Sequence, residues 1–230
     1  MTQNRGRNYF NAAMRDELED LRRAVEPLFE RIARHPLVRE IAEGRFPRER
    51  LRILAEQEYH YTLHIYDYFA LSVLQMPDRE GKEFFIEMAH REVGYLAQYQ
   101  HFLRALGLEP EVAVRAEPLP GVLAAPNFLV HVAVSRTPAE NLAAFLFIEE
   151  VWSEVCRALH AGFRAHYGFT ESEVQCFALP PLDPAREVAL IRKYAAEGAW
   201  EAIRRTARLA LEYEAMFFDA VHAGSRGEGG

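Results

Sequence analysis

The chain is poor in several things that would have decided its class at once. It has two cysteines, Cys156 and Cys176, in 230 residues, with no CxxC pair and no Cys/His spacing suited to a structural zinc. Two unpaired thiols fit a reducing compartment, so a cytoplasmic location is expected. No run is long and apolar enough to span a bilayer, and the polar stretch Met1–Arg7 lacks the apolar core of a signal peptide. Positive charge is also short: 27 Lys and Arg face 34 Asp and Glu, a formal net charge of −7. Nucleic-acid binding, which needs a basic surface to neutralise phosphates, is not expected. The pairs Arg22-Arg23 and Arg204-Arg205 have acids nearby and read as solvated faces. Gly-rich phosphate loops, a Walker sequence, a GxSxG elbow, internal repeats and convincing β-alternation are absent.

What is present is helical periodicity. Half the residues are hydrophobic, enough for one large core. Leu18, Leu21, Val25, Leu28, Phe29 and Ile32 recur at three and four and predict a helix over 9–34, broken at His35-Pro36. A short helix over 37–43 stops at Gly44, and Pro47 leads into a long aromatic one over 48–75. Another spans 79–106 and ends at Gly107. Prolines 110, 118, 120 and 126 make 108–126 a connector. Helices over 126–135 and 138–167 follow, the second opened by Thr137-Pro138-Ala139-Glu140, which has the form of a capping box. Thr170 and Glu173 open a short helix, and a last helical stretch runs over 185–222 with a break near Gly198. The expected fold is an all-α bundle of seven or eight helices, one domain over 1–222 with a flexible tail at 223–230.

Carboxylates inside apolar stretches are the chemical signal, since burying an ion costs several kcal/mol unless it is paired or neutralised. Glu214 sits in Tyr213-Glu214-Ala215-Met216-Phe217-Phe218, and Glu58 in Gln57-Glu58-Tyr59-His60-Tyr61. Glu58, Tyr61, Ile65 and Tyr68 share a helix face by spacing, and His60 and His64 share its neighbour. A pocket wall and a plain core stripe both fit that pattern. Glu149-Glu150 interrupts an apolar run before Val151-Trp152, and one of the two is expected to face inward. Glu87-x-x-His90 matches half of a bundle dimetal motif, and it equally suits a solvated face.

Taken in order, several segments resemble the TenA/thiaminase-II and PqqC group, whose fold is the haem-oxygenase-like bundle. They are His35-Pro36-Leu37-Val38, Glu43-Gly44-Arg45-Phe46-Pro47, Gln57-Glu58-Tyr59-His60-Tyr61, Ala105-Leu106-Gly107-Leu108 and Tyr213-Glu214-Ala215-Met216-Phe217-Phe218-Asp219. The resemblance implies that Glu58, where thiaminases carry Asp, and Tyr61 bind the substrate, and that Glu214 is the acid/base. The nucleophilic cysteine of thiaminases falls on Ile148, and an expected tyrosine lies near Trp152, so thiaminase activity is not expected. At two positions where cofactor-free PqqC-type oxidases carry Arg or Lys stand Glu58 and Tyr68.

The expectation is therefore a metal-independent enzyme using Glu214, Glu58 and Tyr61 on a small nitrogen-containing metabolite. His64, Tyr68, Glu150, Trp152 and Tyr213 are expected as substrate contacts. One alternative is an iron-dependent oxidase built on some of Glu87, His90, Glu92, Glu150 and Asp183. Against it, Tyr99, Leu179 and Glu187 occupy places where the resemblance calls for histidine. Another alternative is a non-catalytic ligand-binding or heteromer subunit. Homo-oligomerisation is implied by the resemblance alone.

Overall fold

In a computed structural model the backbone is described for residues 3–180 and 184–224, and the side chains from residue 17 onward. Among the described residues there are nine α-helices and no strand, which agrees with the all-α expectation. They are α1 (Gln3–Ala33), α2 (Pro36–Ala42), α3 (Leu51–Gln75), α4 (Arg79–Ala105), α5 (Pro110–Ala113), α6 (Pro120–Ser135), α7 (Pro138–His166), α8 (Ala185–Tyr194) and α9 (Trp200–Gly224).

The punctuation acts locally as the residue types require. His35 Nδ1 accepts from Leu37 N at 3.2 Å at the start of α2. Gly44, Gly107, Gly168 and Gly198 take positive φ just after α2, α4 and α7 and just before α9. Asp78 caps α4 by accepting from Gly81 N at 3.1 Å.

Several boundaries differ from the expectation, among them the start of α1, at Gln3 rather than residue 9. Helix α6 begins at Pro120 rather than 126 and carries Pro126 in its interior. Its start is fixed from outside: Gln57 on α3 accepts from Leu119 N at 2.8 Å and donates to the Glu117 carbonyl at 3.1 Å. The Thr170–Glu173 segment is a turn, closed by bonds from Thr170 N and Oγ1 to the Glu173 carboxylate, and only a 3-10 turn at Gln175–Phe177 follows. The last helix continues to Gly224, and 225–230 lie outside the described residues.

The long helices surround one continuous core. α3 packs on α4 and α6, and α9 packs on α6, α7 and α1. The central helix is α7, with Leu142 to Ile148 all buried. Gly162 lets α2 approach it, since an added Cβ would lie 2.6 Å from the Ile41 carbonyl oxygen. Two aromatic clusters brace the bundle. Tyr68, Phe69, Phe84, Phe85 and Phe145 form one, and Tyr99, Phe102, Phe163 and Phe177 the other. Each such buried ring contributes about 1.5–3 kcal/mol.

The capping box at Thr137 forms in full, and it does more than start a helix. Glu140 Oε2 accepts from Thr137 N at 3.1 Å, and Oε1 accepts from Thr206 Oγ1 on α9 at 2.8 Å. One buried carboxylate thus fixes both the start of α7 and its contact with α9. Glu140→Ala removes the cap and strands the Thr206 hydroxyl, an expected loss of about 2–3 kcal/mol in urea unfolding. Glu140→Gln, which keeps an acceptor, should lose less.

Candidate active site

A cavity of ≈ 340 Å³ opens between α3, α4, α7 and α9. Each of these helices contributes a glutamate to its wall: Glu58, Glu92, Glu149 and Glu214. Ile65, Phe69, Met88, Phe145, Ile148 and Trp152 supply the apolar lining. At about 100° per residue, Glu58, Ile65 and Phe69 fall within about 40° of one another on α3, and Phe145, Glu149 and Trp152 within about 60° on α7. The site is a set of helix stripes meeting at one place.

The acidic groups are held differently. Tyr61 Oη donates to Glu214 Oε2 at 2.9 Å, and Tyr95 Oη donates to Glu58 Oε1 at 3.2 Å. Arg91 Nη2 stands 3.8 Å from Glu149 Oε2. Burial pushes Glu214 up to about 7; the Tyr61 hydrogen bond opposes the shift and Glu149 adds to it. Burial raises Glu92 to about 8, with repulsion from Glu149 adding to it and Arg91 opposing. Glu58 rises well above the usual carboxylate range through burial and then through repulsion from Glu214 and Glu92. Burial raises Glu149, against Arg91 and with Glu187. Near neutral pH the cavity can therefore both give and take protons, the property an acid/base site needs.

The expected trio Glu58, Tyr61 and Glu214 meets in this cavity, and Trp152 joins it. Four expected contacts do not line it. Tyr68 lies about 80° around α3 from Glu58; it is fully buried, and its hydroxyl donates to Asn141 Oδ1 at 2.7 Å. His64 Nδ1–H donates to the His60 carbonyl at 2.8 Å. Tyr213 stacks on Phe128 with centroids 4.7 Å apart, one residue of helical rotation away from Glu214. Of the adjacent pair, Glu149 is the inward one. Glu150 forms a two-pronged ion pair with Arg22, at 2.7 and 2.9 Å.

The alternative iron ligands are not brought together. Glu87 is exposed and paired with Arg186, His90 is exposed, and Glu150 is held by Arg22. Glu92 alone of that set lines the cavity, and Asp183 lies outside the described residues. Tyr99, at a position where the resemblance calls for histidine, is buried and donates to the Ala55 carbonyl at 3.3 Å. Among the described residues no three His, Cys, Asp or Glu side chains converge as metal ligands. The described residues do not bring together the donor set a diiron centre needs.

Tyr95, Arg91 and Gln98 line the cavity without having been anticipated, and Glu92 does so without its expected metal role. Their signal was the stripe Met88, Glu92, Tyr95, Tyr99 at steps of four, three and four on α4. Cys156 and Cys176 are buried, and burial raises both thiols above their ordinary range, so neither is an activated nucleophile.

The raised carboxylates link stability to pH. Glu92 and Glu214 hold protons more tightly folded than unfolded, so their contribution is full below about pH 4.5 and is lost as pH rises through about 7 and about 8. Glu58, Arg91, Glu149 and Glu187 face the same groups and shape the curve. The melting temperature should fall between pH 5 and pH 8.5, and Glu92→Gln should flatten that fall. A wild-type melting temperature that rises across this range would contradict the assignment.

A family model described as the TENA/THI-4/PQQC family matches residues 22–223. Comparison with curated proteins finds no match. Among solved structures, the chain is similar to a TenA homologue from P. horikoshii at 21% identity and TM-score 0.75, covering 90% of this chain and 99% of that one. A TenA homologue from Pseudomonas syringae aligns at 13% identity and TM-score 0.77, covering 90% and 93%. A domain from Shewanella denitrificans with a heme oxygenase-like fold aligns at 18% identity and TM-score 0.75, covering 91% and 93%. These likenesses establish the haem-oxygenase-like bundle. Together with the family match along most of its length, they lead to one conclusion: this chain belongs to the TENA/THI-4/PQQC family.

Proposed function

We propose that this protein is a TenA-like enzyme that moves protons on a small nitrogen-containing metabolite without covalent catalysis. The observation that carries the reading is the Tyr61–Glu214 pair, bonded at 2.9 Å in the wall of the cavity, with Glu214 poised at about 7. A group with that pKa is present in both protonation states at neutral pH and can serve as acid and base in one cycle. Tyr61 holds the carboxylate in one orientation and leaves Oε1 for the substrate. Glu58, steadied by Tyr95, would bind a cationic or amide nitrogen.

Ile148 lines the cavity, and it is the residue on which the resemblance places the nucleophilic cysteine of thiaminases. An aliphatic side chain cannot form a covalent intermediate, so elimination, hydrolysis or rearrangement by proton transfer is the class of reaction the site suits. Side chains alone supply this chemistry, and no metal or organic cofactor is invoked. Among the described residues no helix is long and apolar enough to cross a membrane, in keeping with a substrate met in water.

The test is consumption of a panel of aminopyrimidines, amides and amines followed by mass spectrometry. For any compound the wild type consumes, Glu214→Gln should lower kcat by roughly 100-fold or more. Tyr61→Phe should lower it by about tenfold, the loss of one hydrogen bond. Unchanged turnover in Glu214→Gln would remove Glu214 from the chemistry.

A further inference from the structure

Four buried or half-buried carboxylates in one small cavity are more than an acid/base pair needs. Repulsion runs around them as a ring: Glu58 against Glu214 and Glu92, and Glu149 against Glu92 and Glu214. Among the described residues one cation lines this wall, Arg91, whose guanidinium is 3.8 Å from Glu149 and reaches none of the other three acids within ion-pair distance. No hydrogen bond from a described side chain reaches Glu92. Glu214, 3% exposed, accepts from Tyr61 through Oε2 only; Oε1 accepts no hydrogen bond from any described residue, although the side chain lines the cavity. An acceptor oxygen that faces the cavity and has no donor from the described residues is a place for a donor brought by a ligand.

The spaces between the carboxylates are apolar and aromatic, formed by Phe69, Met88, Phe145, Ile148 and Trp152. Aromatic faces attract cations, and the apolar stretch suits a short hydrocarbon spacer. The volume is at the small end of the range for small-molecule sites. No three of the acids approach closely enough to share one metal ion, which leaves their charge to be met by separate centres.

We propose that the ligand of this cavity is a compact aliphatic diamine in its dicationic form, whose two nitrogen centres are received by separate carboxylates of the wall. The proposal deepens the acid/base reading above and rests on the same cavity. It excludes anionic substrates, since a carboxylate or phosphate would add to the repulsion already there.

The test is isothermal titration calorimetry of the intact chain at pH 8 with 1,4-diaminobutane, 1,5-diaminopentane, butylamine, neutral 4-aminopyrimidine and manganese(II) chloride. At least one diamine should bind one-to-one and at least tenfold more tightly than butylamine, and Glu92→Gln should weaken it at least tenfold. Equal affinity for butylamine, tighter binding of 4-aminopyrimidine, absence of diamine binding, or manganese binding that a diamine cannot displace would each overturn the proposal. The wild-type comparison stands even if the variant fails to fold. Because binding is read apart from turnover, loss of diamine preference with a damaging Glu214→Gln defeats only this inference. Diamine binding with a harmless Glu214→Gln defeats only the acid/base reading.

Discussion

Keeping four carboxylates out of bulk water at the junction of four helices is the constraint around which this protein is organised. Isolated buried charge is expensive, and acids that cannot be paired hold their protons instead. The cavity uses both remedies. Phenols from Tyr61 and Tyr95 each donate to one acid, Arg91 stands near another, and burial raises all four pKa values. The result is an uneven field around one cavity, set by which acids keep their protons. Such a field is of use only if its walls hold still.

The surrounding structure supplies that rigidity with polar links buried between helices. Gln57, one residue before Glu58, ties α3 to the chain entering α6 through both ends of its amide. Asn141 on α7 accepts from Tyr68 and donates to Ser72 and Gln75, all on α3. Glu140 joins the start of α7 to Thr206 on α9. His35 accepts from Leu37 N through Nδ1, so its Nε2 carries the proton and donates to Asp219 on α9 at 3.1 Å. Each link satisfies groups that would otherwise be stranded, and each fixes a helix that carries a cavity glutamate. The two aromatic clusters fill the space above and below with close-packed rings.

In this member of the family Tyr61 is bonded to Glu214 and Ile148 lies in the cavity wall. An apolar residue there and acids on four helices change the question the site asks of a ligand. In the proposed reading, recognition of positive charge and transfer of protons take the place of attack on carbon. That division fits a bundle in which separate helices contribute binding and chemistry, so one wall can change while the scaffold stays.

Much of the fold could be read from the residues because helix signals are local. Periodicity of three and four, proline after His35, glycine after α2, α4 and α7 and the Thr137–Glu140 box depend on neighbours within one or two turns, and the structure realises each of them. The acids set among aromatic residues, Glu58 and Glu214, were visible for the same reason. The start of α6 was not, because a glutamine sixty residues away holds it. Nor could sequence choose between Glu149 and Glu150, or between Tyr68 and Phe69. Neighbours in sequence point about 100° apart, and only the packing of α7 and α3 against their partners decides which of the two meets the cavity. The sequence by itself determined that helices would form and that some would carry buried acids. The tertiary structure decided which acids share one space, because that depends on the rotation of each helix about its axis.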